Sequence, residues 1–207
     1  MGRNGALSAH LYDPLLGTVL RPLRQAIINR IPLSKDSEIL DLCCGTGDQL
    51  MLLARKGFTR LHGLDLSADM LEVARKTTFP ISFHLSDATD TPFPDGSFDV
   101  IIISLALHEK DPVTRDRVLR EAARLLRGDG RLIIADYFID RRTFFPSKWI
   151  ITLVERIAGG EHWNNFKDYR QRGAVPKIIP GDVLKITDAQ RLISNGFAVW
   201  TLEKDPK

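Results

Sequence analysis

Apolar positions along the chain follow two rhythms. Short, nearly unbroken apolar runs occur at Ile39 to Cys44, at His62-Gly63-Leu64-Asp65, at Ile81 to Asp87, at Val100 to Ile103 and at Gly130 to Tyr137. Each is bounded by Gly, Pro, Asp or Asn, as buried strands are. Between them the apolar residues recur at helical spacing. Leu11, Leu15, Val19, Leu20, Leu23, Ile27, Ile28 and Ile31 predict an N-terminal helical segment over 10–31, with Pro14 and Pro22 marking helix starts or breaks. A second helix runs from Gln49 to Lys56 and is capped by Gly57. Ser67 reads as the N-cap of a third, Ala68 to Lys76. Asp111-Pro112 opens a fourth, with a stripe of Val113, Val118, Leu119, Ala122, Leu125 and Leu126, that stops at Gly128. Strands alternating with helices predict a doubly wound α/β fold with parallel strands, right-handed crossovers and ligands at the carboxyl ends of the strands.

The tail admits two readings. Thr187 to Ile193 could form a capped helix before a last strand. Alternatively Val183 to Ile193 is a strand, Asn195-Gly196 a tight turn and Phe197 to Leu202 an antiparallel partner. Asn-Gly between apolar-rich runs favours the hairpin, which we place at 183–203.

The chemistry concentrates at strand ends. After the first strand comes Cys44-Gly45-Thr46-Gly47-Asp48, a glycine turn into a helix start. Such glycines let backbone approach a ligand closely, and the helix start offers free N–H groups. A dinucleotide fingerprint would require a third glycine where Leu50 stands. Asp65 ends the second strand twenty residues after Gly45, where doubly wound sheets hold ribose hydroxyls. Asp87 ends the third strand, and Pro92 to Ile103 is a turn running into the fourth. These four stretches in this order resemble the class I S-adenosylmethionine (SAM)-dependent methyltransferases, in particular the type 11 group that includes the ubiquinone/menaquinone biosynthesis C-methyltransferases. The resemblance extends from about Tyr12 to Tyr137 and implies a seven-stranded, mostly parallel sheet that ends in an antiparallel hairpin.

It also implies roles. Asp65 would accept from both ribose hydroxyls, Asp87 from the adenine amino group, and Ala88 would offer its N–H to the ring. Leu66 and Met70 would sandwich the adenine. Gly45, Thr46 and Gly47 would border the methionine moiety beside Cys43, with Asp41 organising the loop or reaching the amino group through water. Tyr12 lies where the family often has a Tyr-Asp pair at the lip of the cleft. Ser104 opens the stretch to Glu109 that in the family faces the methyl group and the acceptor. His108 is either a general base, since imidazole titrates near neutrality, or a hydrogen-bonded wall of the pocket. His162 and Tyr169 are further catalytic candidates, with Glu109, Asp136, Tyr137 and Glu161 behind them. No spacing of ligands along the chain suggests a metal, so none is expected.

Composition narrows the rest. At 207 residues, 43% hydrophobic and 27% charged, the chain reads as a single domain over 1–207. A net charge of +3 does not call for nucleic acid. The adjacent Cys43 and Cys44 read as small buried residues in a reducing, cytoplasmic setting, and Met1 to Ala6 is polar, unlike a leader. Residues 138–182 are an insertion, with helices expected at Pro146 to Ala158 and near Asn164 to Arg172. Half of the chain's aromatic residues fall between Tyr137 and Tyr169, predicting either a ring-lined lid over the acceptor or rings that fasten the insertion down. From Arg141 to Lys177 eight basic residues face three acidic ones. Such a surface attracts an anionic acceptor or rests on an anionic membrane, unless it is simply a solvated face. The expected partner is a small-molecule methyl acceptor, and the resemblance implies transfer of the SAM methyl group to a small, largely apolar or aromatic one. A membrane-associated quinone precursor or lipid as acceptor, or SAM binding without transfer, are the alternatives. Peripheral membrane contact stays open and the oligomeric state unread.

Overall fold

The computed structural model describes residues 19–31 and 34–205. In order the chain forms α1 (Arg21–Ile28), β1 (Ile39–Leu42), α2 (Asp48–Arg55), β2 (Leu61–Asp65), α3 (Ala68–Ala74), β3 (Ser82–Leu85) and β4 (Phe98–Ser104). It continues with α4 (Pro112–Leu125), β5 (Leu126–Tyr137), α5 (Phe145–Ala158), α6 (Gly160–Gln171), α7 (Val175–Ile178), β6 (Leu184–Leu192) and β7 (Phe197–Lys204). The strands make one seven-stranded sheet in the order β3-β2-β1-β4-β5-β7-β6. Pairings from β3 through β5 are parallel, and β7 is antiparallel to both its neighbours. The order reverses between β1 and β4, which opens a crevice at their carboxyl ends.

Alternation along each strand sorts the core into two faces. Leu40, Leu42, Ile101, Ile103, Leu132 and Ile134 pack with Val118, Leu119 and Ala122 of α4. Ile39, Val100, Ile102, Ile133 and Val199 pack on the other face with Leu23 and Ile27 of α1 and Leu50 and Leu53 of α2. A strand buried on both sides cannot alternate apolar with polar residues, and so the central strands read as continuous apolar runs.

Local chemistry sets several boundaries as expected. The Ser67 hydroxyl accepts from Met70 N, and Asp111 accepts from Val113 N and Thr114 N with Pro112 in the first turn. Tertiary packing moved others. The fourth helix stops at Leu125 rather than Gly128 because Leu126 already pairs with Phe98, starting β5 before its glycines. The sixth helix begins at Gly160 instead of near Asn164, and only Gly159, at φ 72°, separates it from α5. The tail is the hairpin, but its connection is not a two-residue Asn-Gly turn. Four residues join Leu192 to Phe197, with Ile193, Ser194 and Asn195 all at positive φ. That conformation is costly for a β-branched residue, and tertiary bonds impose it. Phe138 N donates to Gly196 O, Phe144 N to Ser194 O, and Thr143 Oγ1 and Arg191 Nη2 to Asn195 O. A Cβ on Gly196 would stand 2.8 Å from Ile151 Cδ1, so glycine there admits α5.

The N-terminal segment is described only from Val19, so Leu11, Tyr12, Pro14 and Leu15 lie outside the described residues. Among those described, no helix is long and apolar enough to cross a membrane. Gly63 of β2 marks the tightest seam beside the crevice, where a Cβ would meet Leu50 Cδ1 and Phe83 Cδ1 at 2.8 Å and Cys44 Sγ at 2.9 Å. Gly63→Ala is expected to lower stability by about 1–3 kcal/mol through overpacking, read as a shift in the urea midpoint at unchanged slope.

Candidate functional site

Among the described residues, a group of chemically unusual features gathers where the strands β1, β2, β4 and β5 end. Cys43, just past β1, has φ 70°, and Leu105, just past β4, has φ 54°. Two non-glycine residues in the left-handed region, flanking the crevice, are the kind of strain that tertiary contacts hold at working sites. Cys43 N and Cys44 N both bond to Leu64 O, turning the chain into the glycine loop. Burial pushes the Cys43 thiol up to about 11, so it stays a neutral lining group.

Asp65 closes this loop. Its Oδ2 accepts from Gly45 N at 2.8 Å and its Oδ1 from Ser67 N at 2.9 Å, so one carboxylate joins the loop after β1 to the cap of α3. Gly45, at φ 54°, has nothing within 4 Å of where a Cβ would stand. Next to Asp65, Leu66 is 72% exposed and Met70 half-buried, forming an apolar wall. Asp87 is exposed, its carboxyl held below the ordinary range by the N–H of Thr89, while Ala88 behind it is buried. Thr46 and Ser104 are half-buried at the ends of β1 and β4.

Beneath the loop two buried side chains lack partners. Asp41 Oδ1, and both amide atoms of Gln49, have no hydrogen-bond partner among the described residues. Burial, then the nearby Asp65, push the Asp41 carboxyl up to about 7, with Arg24 acting the other way. Orphaned acceptors, an open glycine backbone, a clasped acid and an exposed apolar wall fit a ligand with an amino group, hydroxyls and a flat apolar ring.

Across the crevice, His108 and Asp136 form a buried pair. His108 Nδ1 lies 2.7 Å from Asp136 Oδ1, and Asp136 also accepts from Leu107 N, His108 N and Tyr137 N. Burial opposes the charge on His108, but Asp136, then Glu109 and Glu155, outweigh it and lift its pKa to about 9. The surrounding carboxylates thus favour the charged imidazole over the neutral one. His162 lies 2.5 Å from Glu155 Oε2, a contact that raises its pKa, and its ring centroid is 5.6 Å from that of His108. Tyr169 is buried, and its hydroxyl donates to Tyr137 O at 3.1 Å.

Three residues central to this region escaped the sequence reading. Glu155, 3% exposed on a mostly apolar helix, meets both histidines, and its place seven residues before His162 across a glycine break was the available signal. Arg115, on α4, is fully buried and binds Leu107 O, Asp168 and Asn165 O, tying α6 to the loop after β4. Gln49 sits unpartnered under the loop. The aromatic cluster divides in two. Tyr137, Phe166 and Tyr169 pack inward, and with Phe138 they line a cavity of about 230 Å³. Phe144, Phe145 and Trp149 face outward, 60%, 75% and 59% exposed, because α5 presents only Ile151 and Glu155 fully to the interior.

Comparison with known proteins agrees with this geometry. Residues 39–130 match the family described as "Methyltransferase domain". The chain is 39% identical over 134 residues to the methyltransferase GfsG of Streptomyces halstedii, covering 61% of this chain and 47% of that protein. It is 35% identical over 152 residues to the demethylmenaquinone methyltransferase of Thermotoga maritima, covering 71% of this chain and 65% of that one. The chain therefore spans less than two thirds of the length of these curated relatives. The structure of an S-adenosylmethionine-dependent methyltransferase from Mesorhizobium loti superposes with a TM-score of 0.60 at 20% identity, covering 90% of this chain and 98% of that one.

The Asp41 carboxyl supplies a pH test. Unfolded, it ionises near 3.8, so between there and about 7 the folded state holds a proton that the unfolded state has released, and stability falls as pH rises through that window. Asp41→Asn is expected to exceed wild type in urea stability by roughly 2–4 kcal/mol at about pH 8 and to lose that advantage near pH 4.

Proposed function

We propose, for a chain that belongs to the class I SAM-dependent methyltransferases, that it transfers the methyl group of SAM to a small, largely apolar or aromatic acceptor. The observation that carries this reading is the Asp65 clasp on Gly45 beside the orphaned Asp41 at the β1/β4 crevice.

SAM supplies an already activated methyl group on its sulfonium, leaving the protein to bind, align and exclude water. Asp65, with two oxygens fixed by backbone donors, keeps lone pairs for ribose hydroxyls. Leu66 and Met70 offer the adenine an apolar surface that is otherwise wet. Asp41 Oδ1 is a ready acceptor for the amino group, with Gly45, Thr46 and Gly47 bordering the methionine chain. Asp87 and Ala88 stand at the adenine edge, and Ser104 at the methyl end. On the acceptor side α5 and α6 act as the lid, and the cavity edged by Tyr137, Phe166 and Tyr169 supports an apolar or aromatic acceptor. His108, oriented by Asp136, stands in the wall on this side with His162 and Tyr169.

Calorimetry tests the cofactor half. Wild type is expected to bind SAM and S-adenosylhomocysteine in the micromolar range, and Asp65→Ala to lose roughly 2 kcal/mol or more, about thirtyfold, with the loss of a charged acceptor. Affinity in Asp65→Ala within about threefold of wild type would sink the assignment of Asp65.

A second reading, methylation of a quinone precursor or lipid at a membrane surface, is favoured by the outer face of α5. Phe145, Trp149, Ile150 and Ile157 are exposed there beside exposed Lys148 and Arg156, an arrangement suited to an anionic interface. The similarity to a demethylmenaquinone methyltransferase points the same way. Co-sedimentation with anionic vesicles should then fall severalfold in Trp149→Glu, while equal recovery of both proteins speaks for an acceptor taken from water.

A further inference from the structure

We propose that His108, Glu155 and His162 together bind a single divalent transition-metal ion of the zinc, cobalt or nickel kind, joining the loop after β4 to α5 and α6. One ligand atom from each residue lies within 4.8 Å of the other two. Glu155 Oε2 is 3.7 Å from His108 Nε2 and 2.5 Å from His162 Nε2. Around a tetrahedral ion with bonds of about 2.0–2.1 Å, donor atoms stand roughly 3.3 Å apart. The first distance already suits that geometry, and the second reaches it when His162 swings out by about 1 Å.

The ligand types and their support agree with the distances. Two imidazoles and one carboxylate suit zinc and its neighbours and leave a further position open. Asp136 binds His108 at Nδ1, which fixes the ring so that Nε2 faces Glu155, the outer contact that metal-bound histidines usually have. Asp136 cannot drift, since three backbone N–H groups hold it. The Tyr137 side chain neighbours Glu155. Glu109 Oε1, 3.8 Å from His108 Nε2 on a half-exposed side chain, stands at the rim of the open position. His162 is 28% exposed and gives an ion a way in. Two buried carboxylates, Asp136 and Glu155, also require compensating positive charge. The rival arrangement satisfies that requirement with two protonated imidazoles and no ion.

The test uses the full chain, stripped with chelator and titrated with Co²⁺ in the absence of SAM, so its outcome is independent of the methyl-transfer reading. Uptake of one equivalent is expected, with the visible absorption bands of a four- or five-coordinate site, and Zn²⁺ should bleach them. Glu155→Gln, which keeps the side chain's shape, and His162→Ala, at a partly exposed position, should each weaken uptake by about tenfold or more while retaining wild-type circular dichroism. Asp136→Asn, a change to a positioning residue, should weaken it roughly 10–100-fold without changing the stoichiometry. Absence of saturable one-to-one uptake by wild type overturns the proposal in favour of the protonated network. So does uptake that both Glu155→Gln and His162→Ala leave unchanged.

Discussion

A carboxylate without water must find its donors inside the protein, and the β4/β5 side of this molecule is built around Asp136 doing so. It lies at the end of β5, fully buried, and takes three backbone N–H groups and one imidazole. Those donors belong to the loop after β4 and to the last residue of β5. The bonds therefore fix the conformation of a loop whose Leu105 is already in the left-handed region. A buried charge of this kind is worth little as a net stabiliser, yet removing any one partner is expensive. The geometry around His108 is consequently specified rather than merely allowed.

The two sides of the crevice are organised by one device, an acid at a strand end that bonds the backbone of the neighbouring loop. Asp65 does this from β2 to the glycine loop, and Asp136 from β5 to the loop after β4. Parallel strands make the arrangement available, because their carboxyl ends lie side by side and each end can reach the turn beside it. Arg115 extends the pattern outward. It is a buried cation that receives no exposed anchor of its own but gathers Leu107 O, Asp168 and Asn165 O, so that α6 is registered against the loop that carries His108.

The fold was legible where burial alone decides. Central strands such as Val100 to Ile103 have no polar alternative, and helix starts such as Ser67 and Asp111 carry their own caps. The Gly45, Gly47 and Asp65 pattern was readable because a close backbone approach and a charged end leave few substitutes. What the sequence hid depends on contacts between distant segments. Leu126 joins β5 because Phe98 is there to pair with it, and Ile193 takes positive φ because Thr143, Phe144 and Arg191 hold its loop. Glu155 reads as one more charge on a helix until α6 brings His162 against it. Tyr137, Phe166 and Tyr169 cannot be told from Phe145 and Trp149 by type, since only their places on β5, on α6 and on the outer face of α5 decide which rings are covered.

Gly159 alone separates α5 from α6, with a backbone only glycine adopts readily. Two helices joined at one residue cannot part at that end, and so α5 and α6 meet at a single corner. Glu155 of α5 meets His162 of α6 across that joint, and both stand beside His108. The exposed face and the buried polar cluster are thus carried by the same helix, although 75% exposure at Phe145 and near-complete burial at Glu155 set them at opposite extremes of solvent contact.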